Sequence, residues 1–144
     1  MKYIVLLGRI FYSLIFMMAF PGHFSQQTIE YATAQGVPFA SITVPFSGIM
    51  ALVGGLSIAL GYKAKYGAWI LVLFLVPVTV AFHNFWAVAY PVVTRMQQAM
   101  FMKNLAIIGG AIFIAHFGSG PLSLDAVLKS RLVHGFRSKK QVAA

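Results

Sequence analysis

Four long stretches of this chain, Ile10–Ile29, Tyr31–Tyr62, Tyr66–Thr94 and Asn104–Leu124, contain no lysine, arginine, aspartate or glutamate. A bilayer hydrocarbon core about 30 Å thick is crossed by roughly 20 apolar residues in a helix, and each stretch can supply one such segment. Backbone polar groups find no water in that core, so each segment must satisfy its hydrogen bonds within a helix. The expected fold is all-α: an integral membrane, antiparallel four-helix bundle with spans at about 3–20, 44–62, 66–86 and 100–117.

Hydrophobic residues make up 60% of the chain and charged residues 9%, against about 25% charge in a soluble domain. A soluble core of this size leaves too much surface uncovered to hide that apolar content. The connections are too short to bury cores of their own. Residues 1–125 therefore read as one membrane domain, and residues 126–144 as an amphipathic cytoplasmic helix with a basic tail. Cysteine is absent, which excludes disulfides, thiolate metal sites and thiol nucleophiles.

The net charge of +9 does not point to nucleic acid, because the aromatics that would interleave a basic patch lie inside the apolar spans. Topology accounts for it instead, since the cytoplasmic flanks of spans collect lysine and arginine. One side carries Lys2, Lys63, Lys65, Lys129, Arg131, Arg137, Lys139 and Lys140, with Arg9 close by; the other carries Arg95 and Lys103. Both termini are expected in the cytoplasm. Ala32-Thr33-Ala34 resembles a signal cleavage site but lies well beyond the first apolar run, so span 1 is expected to remain uncleaved.

Within this frame Arg9 reads as an anchor that snorkels to the cytoplasmic headgroups. Pro21-Gly22 ends span 1, and Ser25 to Gly36 reads as a short external helix over the bundle mouth, capped by Ser25 and stopped by Gly36 and Pro38. Ser47, Ala51, Gly55 and Ala59 form a small-residue stripe on span 2. Ala106 and Gly110, with Ala111 and Ala115, repeat the device on span 4. Small residues permit close backbone approach in lipid, so spans 2 and 4 are the expected tightest pair. Pro77 predicts a kink in span 3.

Polar residues near span ends are the candidates for chemistry, because polar groups at depth are costly. On the external side these are His23, Glu30, His83, Asn84, Trp86, Arg95, Gln97, Lys103 and Asn104. Two readings stand side by side. In one, His23, His83, Asn84, Trp86, Arg95, Lys103 and Asn104 bind a ligand: histidines exchange protons, a fixed cation meets an anionic oxygen, and aromatics form flat walls. A quinone head group would suit such a pocket. In the other, Trp86 and Tyr90 belong to the interfacial aromatic belt, while His83 and Asn84 cap the third span. No metal site is expected, since no two histidines stand three or four apart on a helix.

Several local patterns together resemble the DoxX family of small bacterial membrane proteins. They are Gly8-Arg9-Ile10; Tyr31 with Gly36-Val37-Pro38; Gly54-Gly55-Leu56 through Gly61; His83-Asn84-Phe85-Trp86; Lys103-Asn104-Leu105-Ala106 with Gly109-Gly110; and Gly118 to Asp125. The resemblance implies a four-helix membrane fold in a bacterial plasma (inner) membrane and a link to redox chemistry, since relatives include a subunit of a thiosulfate:quinone oxidoreductase. Ala51 stands where many relatives carry an acid. On this basis the expected function is an accessory redox-linked subunit that holds a quinone near the external face, whether or not it catalyses anything itself. Its partners would be membrane lipids and a redox protein or a second copy of the chain, with no nucleic acid. The alternative is a non-enzymatic scaffold, assembly factor or small-solute carrier.

Overall fold

The structure is a computed structural model that describes residues 2–132. The chain is a membrane protein of helices. α1 (Lys2–Ala19) runs into a 3-10 turn (Phe20–Phe24), followed by α2 (Gln26–Ala34), α3 (Ala40–Leu60), α4 (Ala64–Phe82), a second 3-10 turn (Phe85–Ala87) and α5 (Pro91–Phe117). A further helix, α6, covers 124–132. Among the described residues, four helical segments are long and apolar enough to cross a bilayer: Lys2–Phe24, Ala40–Leu60, Ala64–Ala87 and Pro91–Phe117. Residues 133–144, which include Arg137, Lys139, Lys140 and most of the expected amphipathic tail, lie outside the described residues.

Local chemistry sets the helix ends. The Ser25 hydroxyl accepts the Thr28 N–H and caps α2. At the other end of α2, Gly36 adopts φ 79°, with Gly36 N–H bonded to Thr33 O and Val37 N–H to Ala32 O, the Schellman arrangement. Gly61 closes α3 the same way, at φ 64°, with Tyr62 N–H on Ser57 O.

Two helices begin earlier than the sequence suggested. α3 starts at Ala40, which places Pro45 inside it rather than at its first turn. α5 starts at Pro91, nine residues ahead of Met100, so Arg95, Gln97 and Gln98 lie on a helix and not in a loop. At 1.5 Å per residue, the 27 residues of α5 extend roughly 40 Å, beyond a core of about 30 Å. Its polar first turns therefore reach past the hydrocarbon.

α3 packs against α1 and α4, and α4 also packs against α5. The expected pairing of spans 2 and 4 is not the tight one. A Cβ on Gly54 would lie 2.6 Å from Leu71 Cδ2 and 2.9 Å from the Gly67 carbonyl, and one on Gly67 would lie 3.1 Å from the Gly54 carbonyl. Gly54 and Gly67 thus bring the α3 and α4 backbones together. Gly55, on the stripe, meets Phe16 and Ser13 of α1, and Gly110 meets the Tyr12 ring. Of the other stripe residues, Ala51, Ala111 and Ala115 are buried, Ser47 and Ala59 are half-buried, and Ala106 is exposed.

At the end where α1 starts and α5 finishes, a polar knot ties the elements together. Arg9 does not snorkel: it is only 4% exposed and donates Nη1 to Ser119 O at 2.6 Å and Nη2 to Leu122 O at 2.7 Å. Asp125 fastens the same loop to the α3–α4 connection. Its N–H bonds Gly61 O at 3.0 Å, its Oδ1 accepts the Lys63 N–H at 3.0 Å, and its Oδ2 accepts the Ser119 hydroxyl. These donors hold the Asp125 carboxyl below its usual pKa, with the Lys63 amide as the largest cause and Ser119 next. Lys65 adds a bond from Nζ to His116 O at 2.8 Å. Gly61 is required here twice over, by its positive φ and because a Cβ would collide with the Arg9 guanidinium.

Candidate functional site

At the opposite end, α2 folds over the top of α3 and α4. Ala32, Ala40 and Val44 form a small core there with Ile29, Val37 and Phe82, and the Tyr31 ring stacks on Phe82 with centroids 5.8 Å apart. Beneath this contact lies a cleft of about 200 Å³ between α3 and α4, lined by Val37, Val44, Met50, Phe74, Pro77 and Ala81 among others. Pro77 has no N–H to offer the Leu73 carbonyl, and Thr79 returns its hydroxyl to Leu75 O at 2.6 Å. A second cavity of about 270 Å³ adjoins the first and is lined by His23, Thr28, Tyr31 and His83. The two share Val44, Ser47, Val78 and Phe82.

The polar groups around the cleft are largely engaged. Ser47 donates to Val44 O at 2.7 Å, and Thr43 donates to Pro38 O and Phe39 O. His23 Nδ1 lies 2.9 Å from Ala19 O, and His83 Nδ1 lies 2.8 Å from Gln97 Oε1. The Ala19 carbonyl can only accept, so His23 Nδ1 donates to it and a neutral ring keeps Nε2 as an acceptor, while His83 Nδ1 pairs with the Gln97 side-chain amide. His23 is held tightly, because a Cβ on Gly48 would stand 2.6 Å from its own Cβ. The cleft is apolar inside, with two histidines at its rim.

Of the sequence candidates, the structure brings His23 and His83 to one cavity. Asn84 stands at the N-cap of the Phe85–Ala87 turn. Trp86 is exposed and forms an aromatic cluster with Phe85 and Phe101, ring centroids 5.1 to 5.8 Å apart. Arg95 and Lys103 are exposed on α5, Asn104 is buried within it, and none of the three lines the cleft. Sequence reasoning missed Gln97 as the partner of His83, and the α3–α4 apolar lining. The one available signal for the lining was Pro77, from which the sequence predicts only a kink in span 3.

A family model for the SURF4 family matches residues 1–131. The chain belongs to the SURF4 family. Among its relatives, inner membrane protein YqjF of Escherichia coli (strain K12) is 30% identical over 129 residues, 88% of this chain and 93% of YqjF. Inner membrane protein YphA of the same strain is 26% identical over 129 residues, 85% of this chain and 88% of YphA. The ER-derived vesicles protein ERV29 of Saccharomyces cerevisiae is 32% identical over 81 residues, which is 56% of this chain but only 26% of ERV29. No solved structure matches the chain.

SURF4 membership overturns the DoxX resemblance. That resemblance rests on short glycine, proline and aromatic patterns at span ends, which many helical membrane proteins need in order to stop helices and anchor them at the interface. The accessory redox-linked function that the resemblance implied, with a quinone held for it, falls with it.

Proposed function

We propose that this SURF4 family chain is a binding protein of the inner membrane, not a catalyst, and that its cleft beneath α2 receives an apolar segment of another polypeptide on the non-cytoplasmic side. The cleft carries this reading. Its Thr43 and Ser47 hydroxyls are turned back onto backbone carbonyls, so a polar guest would lose bonds to water without gaining new ones. An apolar guest faces no such cost. The cleft of about 200 Å³ and the adjoining cavity of about 270 Å³ are each on the scale of a few apolar side chains. His23 at the rim can accept a backbone N–H group of the guest.

The inner-membrane placement is supported by the likeness to the inner membrane proteins YqjF and YphA. Both termini in the cytoplasm is supported by the basic residues gathered at the α1-start and α5-finish end, against Arg95 and Lys103 at the other. That orientation puts the cleft outside the cytoplasm.

Photo-cross-linking in living cells tests the proposal. A photoreactive residue replacing Ala81, in the cleft, is expected to trap polypeptide adducts, while one replacing Val80, on the exposed face of α4, traps lipid. Lipid adducts alone at Ala81 would refute the receptor reading.

A further inference from the structure

A second, independent feature lies at the basic end. The surface between α3 and α4 forms a groove lined by Val53, Leu56, Leu60 and Ile70, bounded by Tyr62, Lys63 and Tyr66. It meets a pocket of about 500 Å³ that shares Lys63 and Tyr66 with it and adds Lys65, Lys129 and the Ser119–Asp125 loop. An apolar trough therefore opens directly into a three-lysine pocket.

From this continuity we infer that the chain holds one anionic phospholipid of the adjacent leaflet, its phosphate between Lys63, Lys65 and Lys129 and one acyl chain in the groove. Charge and length both fit. The pocket is lined by Lys63, Lys65 and Lys129 against one carboxylate, Asp125, which accepts the Lys63 amide and the Ser119 hydroxyl, so three positive charges less one negative leave an excess of two for a phosphate. Lys65 gives one N–H to His116 O and keeps two more. From Leu60, the last residue of α3, to Val53 the helical rise is about 11 Å, which fits within one leaflet, half of a core about 30 Å thick. Tyr62 and Tyr66 sit where a glycerol backbone would lie, the level that amphipathic rings favour.

Native mass spectrometry of the full chain tests this, using phosphatidylglycerol, phosphatidylcholine and free glycerol 3-phosphate as probes. One phosphatidylglycerol is expected to stay bound where phosphatidylcholine and glycerol 3-phosphate do not. Lys129 is exposed, so Lys129→Gln should leave melting unchanged and weaken phosphatidylglycerol retention about fivefold. Leu56→Trp, which fills the groove, should likewise weaken phosphatidylglycerol retention. Equal retention of the two phospholipids, or retention of phosphatidylglycerol undiminished in both variants, overturns the inference. Glycerol 3-phosphate binding as tight as the lipid would reduce the site to an anion pocket and overturn it as well. None of these outcomes bears on the cleft beneath α2.

Discussion

Arg9 and Ser119, 110 positions apart in sequence, meet through a 2.6 Å bond from the guanidinium Nη1 to the backbone carbonyl. A second bond to Leu122 O makes the fork of the arginine a clamp on the loop that follows α5. Lysine has a single ammonium and cannot reproduce the fork.

Replacing Arg9 should therefore damage stability far more than an anchoring residue would. Arg9→Ala leaves two carbonyls without a donor, and each hydrogen bond to a charged group is worth about 1.5–3 kcal/mol. Thermal melting in detergent should drop clearly for Arg9→Ala and partly recover in Arg9→Lys. Melting unchanged in both variants would show that the clamp contributes nothing.

The same knot predicts an acid-sensitive stability. The Asp125 carboxyl is held below its usual pKa by the Lys63 amide and the Ser119 hydroxyl. A depressed folded pKa means that the unfolded state binds the proton first. The stabilisation is then fully present above about pH 4, the ordinary aspartate value, and is lost as pH falls through the lowered folded value. Melting of the parent should fall between pH 6 and pH 3. Asp125→Asn should melt lower at pH 6 and show a smaller acid drop. An equal acid drop in the two proteins would rule out Asp125 as the source.

Two glycines separate close packing from open space. Gly54→Ala forces a methyl group against Leu71 and the Gly67 carbonyl, and overpacking of this kind costs about 1–3 kcal/mol. Gly109→Ala meets nothing within 4 Å and gains helix propensity, up to about 1 kcal/mol. The first variant should melt below the parent and the second at or above it. The reverse order would contradict the α3–α4 contact.

The spans were legible because hydrocarbon imposes one rule on every residue of a segment. The α2 cap was legible because Ser25, Gly36 and Pro38 act locally. The first turns of α5 were not, since Thr94, Arg95, Gln97 and Gln98 have the polarity of a loop, although Pro91 stands at the first helical position where proline is favoured. Arg9 was read as snorkelling because its acceptors are backbone carbonyls of a distant loop, and carbonyls leave no trace in side-chain chemistry. The stripe on span 2 hid the closer contact at Gly54, because sequence spacing does not say which neighbour a face meets. At the cleft, His23 and His83 could be picked out as polar groups near span ends. Their apolar surroundings are indistinguishable in sequence from lipid-facing surface.

The central claim is that the cleft between α3 and α4 takes apolar side chains, and binding of a fluorescent apolar peptide to the purified protein tests it most directly. Ala81→Phe places an aromatic ring in the cleft, and Val80→Phe places the same ring on the exposed face. The parent and Val80→Phe should bind the peptide alike, while Ala81→Phe, with unchanged helical content, should bind at least about tenfold more weakly, a loss of about 1.4 kcal/mol. Equal binding by all three proteins, or no binding by the parent to any apolar peptide tried, would contradict the account.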